Sequence, residues 1–115
     1  HSPLNADTRN LIGAAELQCM KRDAMLINTA RGGIINESEL ADALLSGEIG
    51  GAALDVLANE PPCAGNRLLS LSLPNLIITP HIAWAGSTSR QRLVDEIVTN
   101  IQAFLDGRPR NLVGN

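Results

Sequence analysis

The stretch LINTARGGII, Leu26 to Ile35, decides how the rest of the chain is read. An apolar run halts on Asn28, Thr29, Ala30 and Arg31 and is followed at once by two glycines. A short apolar run bounded by glycine reads as a buried strand, and the polar turn and capped helix beyond it complete one βα unit. Arg31 then falls at the carboxyl end of a strand. In open α/β sheets ligands bind outside those ends, and a guanidinium there offers a planar fork to a carboxylate or phosphate. The plain alternative is an arginine that pairs with a neighbouring acid or lies in solvent.

Working outward, Gly13 to Met20 carries Ala14, Leu17 and Met20 at helical spacing, with Lys21 and Arg22 at the end where cations suit a helix. After the strand Met25 to Thr29, Asn36-Glu-Ser-Glu opens a helix, with Asn36 as N-cap and Glu39 completing a box-like pair. Leu40, Ala43 and Leu44 form its apolar stripe and Gly47 its C-cap. A second buried strand, Ala52 to Val56, delivers Asp55 at its end, and a third, Leu76 to Thr79, stops at Pro80 ahead of His81. The order strand, helix, strand predicts a parallel sheet, so Arg31, Asp55 and His81 gather on one edge of it. Between the last two strands, Leu57 to Leu73 is a loop too long for a mere connector, and Glu60 lies in it. From Gly86 to about Asp106 a long helix carries Leu93, Val94, Ile97, Val98, Ile101, Phe104 and Leu105 on one face, a stripe that is core or interface. The residues after it, to Asn115, read as an extended tail.

The chain has 115 residues, 44% of them hydrophobic, enough for one modest domain or a piece of one. A net charge of −3 argues against a nucleic-acid or anionic-membrane surface, and no apolar run approaches the roughly 20 residues of a membrane span. Cys19 and Cys63 stand far apart without metal-ligand spacing, so no metal site is expected and a reduced, cytoplasmic setting fits. His1 is followed directly by Ser-Pro-Leu, which reads as a fragment beginning inside a larger protein.

The chemistry follows from residue types. A histidine at a strand end exchanges protons near neutrality, its unperturbed pKa being about 6.5. A carboxylate such as Glu60 against the ring would fix its tautomer and favour imidazolium. With Arg31 holding an anion, the set suggests an enzyme acting on a small acid that bears a hydroxyl or carbonyl. Each residue alone also has a structural reading. No G-x-G-x-x-G occurs, so a dinucleotide site is here only in part.

Four segments in order, HSPLNADTRNLIG, LINTARGGIINESEL, AALDVLANEPP and NLIITPHIAWA, resemble the carboxyl half of the D-isomer-specific 2-hydroxyacid dehydrogenases, the HIAW form most resembling the glycerate dehydrogenase or hydroxypyruvate reductase branch. The resemblance implies the second half of a doubly wound, Rossmann-type parallel NAD-binding domain over residues 1–115, with helix 87–106 leading back toward a missing substrate domain. By their motifs, Arg31 matches the binder of the substrate carboxylate and carbonyl, Glu60 the orienting acid and His81 the acid/base. Asp55 matches the contact to the nicotinamide carboxamide. Thr29, Ala30 and Ala83 match positions along the cofactor, His1 matches the start of a segment bordering it, and Trp84 is the branch's substrate-side residue. Asn5 and Ala6 depart from the family's usual Thr and Pro, in a connector. The implied parent is an NAD-dependent oxidoreductase, NADP not excluded, that acts on a small 2-hydroxy or 2-oxo acid as a homodimer through this domain, while the fragment alone is expected to be inactive. The alternatives are an NAD(H)-sensing corepressor-like scaffold of the same family and a non-catalytic remnant whose long helix serves assembly.

Overall fold

The computed structural model describes residues 2–62 and 64–114. His1 and Cys63, both singled out above, and the terminal Asn115 lie outside the described residues. The chain divides into two compact units, His1–His81 and Ile82–Asn115.

The first unit holds three parallel strands in the order β1 (Met25–Asn28), β2 (Gly51–Leu54), β3 (Leu76–Ile78). The register aligns Leu26, Ala52 and Leu76 in one row and Asn28, Leu54 and Ile78 in the next one facing the same way. These rows face the core, where Leu26, Ala52, Leu54, Leu76 and Ile78 pack with Leu17, Leu40, Leu44, Ile49 and Leu68. Residues between them point the other way, and Met25, Ile27 and Ile77 are exposed. The expectation of a buried first strand is corrected to burial on one face: period-2 alternation gives each strand two faces, and among the described residues helices cover one.

Those helices are α1 (Ala14–Gln18), α2 (Glu37–Ser46) and a single 3-10 turn, Leu68–Ser70, in the long loop. α2 starts and stops where its caps require. Asn36 Oδ1 accepts the N–H groups of Ser38 (3.2 Å) and Glu39 (3.3 Å), and Gly47 closes the helix at φ +69°, left-handed backbone that glycine adopts without a Cβ penalty. Its inward residues Leu40, Ala41, Ala43 and Leu44 are buried, each large one contributing about 1.5–3 kcal/mol. Glu39 does not complete the expected box. Its carboxylate accepts the Ala14 N–H at 2.5 Å and so ties α2 to the start of α1. The box-like contact occurs at α1 itself, where Glu16 accepts the Gly13 N–H at 2.9 Å. α1 is shorter than predicted and ends before Lys21 and Arg22, which lie beyond its last turn.

The second unit contains α3 (Ser87–Leu105), close to its predicted span. None of its residues is buried, the apolar stripe included. No helix of the described residues is long and apolar enough to cross a membrane.

Candidate active site

The aligned row Asn28, Leu54, Ile78 ends the three strands together, and the chain then carries Arg31, Asp55 and His81 three, one and three residues further on, all past the same sheet edge. Each turn there is built by its own sequence. Asn28, the polar end of β1, is buried, accepts the Ala30 N–H (3.0 Å) and donates to the Arg31 carbonyl (2.9 Å), so one amide shapes the whole Thr29–Arg31 turn. The Arg31 guanidinium is exposed and donates from Nη1 to the Ala30 carbonyl at 2.7 Å.

Asp55 is buried just past β2. Its backbone N–H donates to Asn28 O, and its carboxylate accepts the Thr79 hydroxyl at 2.5 Å, which bridges β2 to the end of β3. Thr79 and Asn28 were not singled out from the sequence, although each is the polar residue that ends an apolar run, which is the available signal.

Glu60 and His81 meet. Glu60 Oε2 lies 2.7 Å from His81 Nδ1, and Oε1 accepts the Leu57 N–H at 2.8 Å. These two contacts, the Leu57 N–H first and the His81 ring second, hold the Glu60 carboxyl below the usual carboxylate range, against a smaller opposing effect of burial. With the carboxylate on Nδ1, the ring is oriented and Nε2 is the nitrogen suited to proton exchange elsewhere. His81 itself has φ +55°, left-handed backbone that is uncommon for residues other than glycine. Beside the pair is a mostly apolar cleft of about 590 Å³, lined by Leu57, Pro61, Leu69 and Ile78 together with Glu60 and His81. A second cleft, about 510 Å³, opens at the end of β1 between Ser2, Pro3, Leu4, Thr29, Ala30 and Arg31.

The predicted residues of the first unit, Thr29, Ala30, Arg31, Asp55, Glu60 and His81, thus stand at or beside one sheet edge, with direct side-chain contact between Glu60 and His81. Ala83 and Trp84 belong to the second unit, in the stretch ahead of α3, where Trp84 is exposed.

Residues 1–83 match the D-isomer specific 2-hydroxyacid dehydrogenase, NAD binding domain. The chain belongs to this family. It is 55% identical to a glycerate dehydrogenase of Methylorubrum extorquens over 98% of its own length and 36% of the relative's. Among solved structures, it is similar to an acyclic imino acid reductase in complex with NADPH and D-Arg, with 36% identity, a TM-score of 0.83, and coverage of 99% of this chain and 36% of that one. It is also similar to the D-lactate dehydrogenase of Lactobacillus jensenii with NAD+, at 31% identity and a TM-score of 0.82, covering all of this chain and 38% of the other. The chain therefore spans little more than a third of the length of these relatives. Its parallel strands and helices are those of a Rossmann-type NAD-binding domain in this family, the family and fold expected from the sequence.

Proposed function

We propose that the whole protein transfers a hydride between NAD(H) and a small D-2-hydroxy acid or its 2-oxo counterpart, of the glycerate/hydroxypyruvate type. The observation that carries this reading is the Glu60–His81 contact on the sheet edge that also presents Arg31 and Asp55. The glycerate dehydrogenase relative supports the substrate class. Structural relatives with NAD+ and with NADPH support a nicotinamide cofactor and leave its 2′-phosphate open.

The residues present suit the nicotinamide end of that cofactor. Asp55 is a buried carboxylate fixed by Thr79, an acceptor able to take the N–H of a carboxamide, and the cleft beside Thr29, Ala30 and Arg31 is within the range of about 300–1,000 Å³ of small-molecule sites. When bound, the cofactor supplies or accepts the hydride. Arg31 grips the substrate carboxylate with two parallel N–H donors and faces the charge that develops on the carbonyl oxygen. That requires the guanidinium to exchange its Ala30 contact for the substrate. His81 gives a proton to the forming alkoxide from Nε2 in reduction and takes it back in oxidation, while Glu60 holds the ring through Nδ1. The roles of Ala83 and Trp84, beside the cofactor and the substrate, and of His1 beside the cofactor rest on their motifs alone. On the same reading the protein works as a homodimer in the cytoplasm. The apolar stripe of α3 supports assembly.

The test is NADH oxidation with hydroxypyruvate by the full-length protein that carries this sequence, beside its Arg31→Lys variant. Turnover is expected in the wild type, and the lysine, which keeps the charge but loses the fork, should lower kcat/KM about tenfold to a hundredfold, the worth of a charge-assisted hydrogen bond of about 1.5–3 kcal/mol. Unchanged kinetics in the variant would remove Arg31 from the site, and no turnover of any small 2-oxo acid would remove the function.

A further inference from the structure

α2 begins with Glu37, a carboxylate that the chemistry above does not use. It does not cap its own helix, since Asn36 does that. Instead it reaches into the long loop after β2. Its Oε1 accepts the N–H of Ala58 at 2.5 Å and its Oε2 accepts the amide of Asn66 at 2.9 Å, partners 21 and 29 residues away. One carboxylate therefore holds both limbs of that loop.

The near limb is the one that carries Glu60. Ala58 follows Leu57, whose N–H is the other group that Glu60 holds. The Leu57–Ala58 peptide is also seated on Gly32, next to Arg31, so closely that a Cβ at Gly32 would lie 1.8 Å from Leu57 O and 2.7 Å from Ala58 N. Gly32 blocks the peptide on one side and Glu37 pulls on its N–H. The far limb is tied as well, because Asn66 in turn accepts the Leu69 N–H at 3.2 Å, and Leu69 lines the cleft beside Glu60 and His81. Hydrogen bonds weaken steeply as they lengthen and bend, so a shift of the Leu57–Ala58 peptide would be felt where Glu60 meets the imidazole.

We propose that Glu37 is a positioning residue for the Glu60–His81 pair, its two carboxylate oxygens clamping the loop at Ala58 and Asn66 and so setting where the Glu60 carboxylate meets His81 Nδ1. This rests on the reading of Glu60 as the group that orients His81. The clamp places the start of α2, the turn bearing Arg31 and the loop bearing Glu60 in one connected arrangement.

The test is the tautomer of the neutral His81 ring, read by nitrogen NMR in the full-length protein carrying 15N-histidine, with the signal assigned by its loss in His81→Asn. In the wild type the proton is expected on Nδ1, facing the carboxylate that accepts it, and Glu60→Ala should lose that preference. Glu37→Gln, which keeps the length but offers no second acceptor oxygen, should move the ring signals at least half as far as Glu60→Ala does. Asp42→Asn breaks the exposed Arg67–Asp42 ion pair on the same helix, leaves Arg67 its contacts to Ser38, and should leave the signals at their wild-type positions. If Glu37→Gln fails to fold, Asn66→Ala, which removes the far anchor, is held to the same standard. A wild-type ring indistinguishable from that of Glu60→Ala overturns the pair itself. A Glu60→Ala shift without one in Glu37→Gln, or one that Asp42→Asn reproduces, overturns the clamp and leaves the pair standing.

Discussion

α2 and α3 carry the same kind of pattern and meet different fates. In α2, Leu40, Ala41, Ala43 and Leu44 are buried against the sheet and the 3-10 turn, whereas α3, nearly twice as long and with a regular apolar stripe, has no buried residue. Amphipathic spacing establishes that a helix has an apolar face. It does not say what covers that face. α2 also differs at its start, where Asn36, Glu37, Ser38 and Glu39 each bind backbone or side-chain groups, three of them reaching outside the helix. α3 has no side-chain cap, and among the described residues its side chains find polar partners within its own length or just beyond its end, as Arg110 and Asn111 on Glu96.

The strongest challenge to this contrast is Leu40→Ala set against Leu93→Ala in the 115-residue chain. Leu40 has no exposed surface, so its truncation should cost about 2–5 kcal/mol in urea unfolding. Leu93 is 62% exposed, and its truncation should stay within about 0.5 kcal/mol. Equal losses would break the comparison. Repeating Leu93→Ala in the full-length protein sharpens it, because a large cost there means that the stripe is covered.

Next in size is Gly32→Ala. Its methyl would collide with the Leu57 carbonyl, which is backbone and can move only with the loop, so a cost of about 1–3 kcal/mol is expected. Gly47→Ala, where nothing stands within 4 Å, isolates the left-handed backbone penalty without a collision. If the two variants melt alike, Gly32 is not a seat for the loop.

The smallest expected effect is the contribution of Glu60 to acid stability. The Leu57 N–H and His81 depress its folded pKa, so this stabilisation is present above the ordinary value near 4.5 and is lost as pH falls through the lower folded value. Glu60→Gln should therefore unfold with a shallower pH dependence below about 4.5. The side chain is about a third exposed, and solvent keeps the difference small. Superimposable acid unfolding curves would mean that the carboxylate gains nothing from its partners.

Most of the fold could be read from apolar runs and their stops. β1, β2 and β3 begin and end within a residue or two of expectation, because Asn28, Asp55 and Thr79 interrupt the apolar runs at the sheet edge. The gathering of Arg31, Asp55 and His81 at that edge follows from parallel order alone. What could not be read depends on contacts distant in sequence. Glu39 pairs with Ala14 rather than its own cap, Glu37 reaches Ala58 and Asn66, and neither choice has a local signature. The Gly13 cap of α1 was equally hidden, since glycine has no side chain to announce it. The positive φ of His81 is set by the turn into which β3 runs, and the residue type alone does not reveal it.

That last feature limits what can replace the histidine over evolutionary time. At φ +55° the backbone is comfortable for glycine, tolerable for asparagine or aspartate, and unfavourable for valine, isoleucine or threonine. A lineage released from the need for a proton carrier here would drift first toward Asn, Asp or Gly, leaving a recognisable trace of lost chemistry in a turn that still folds.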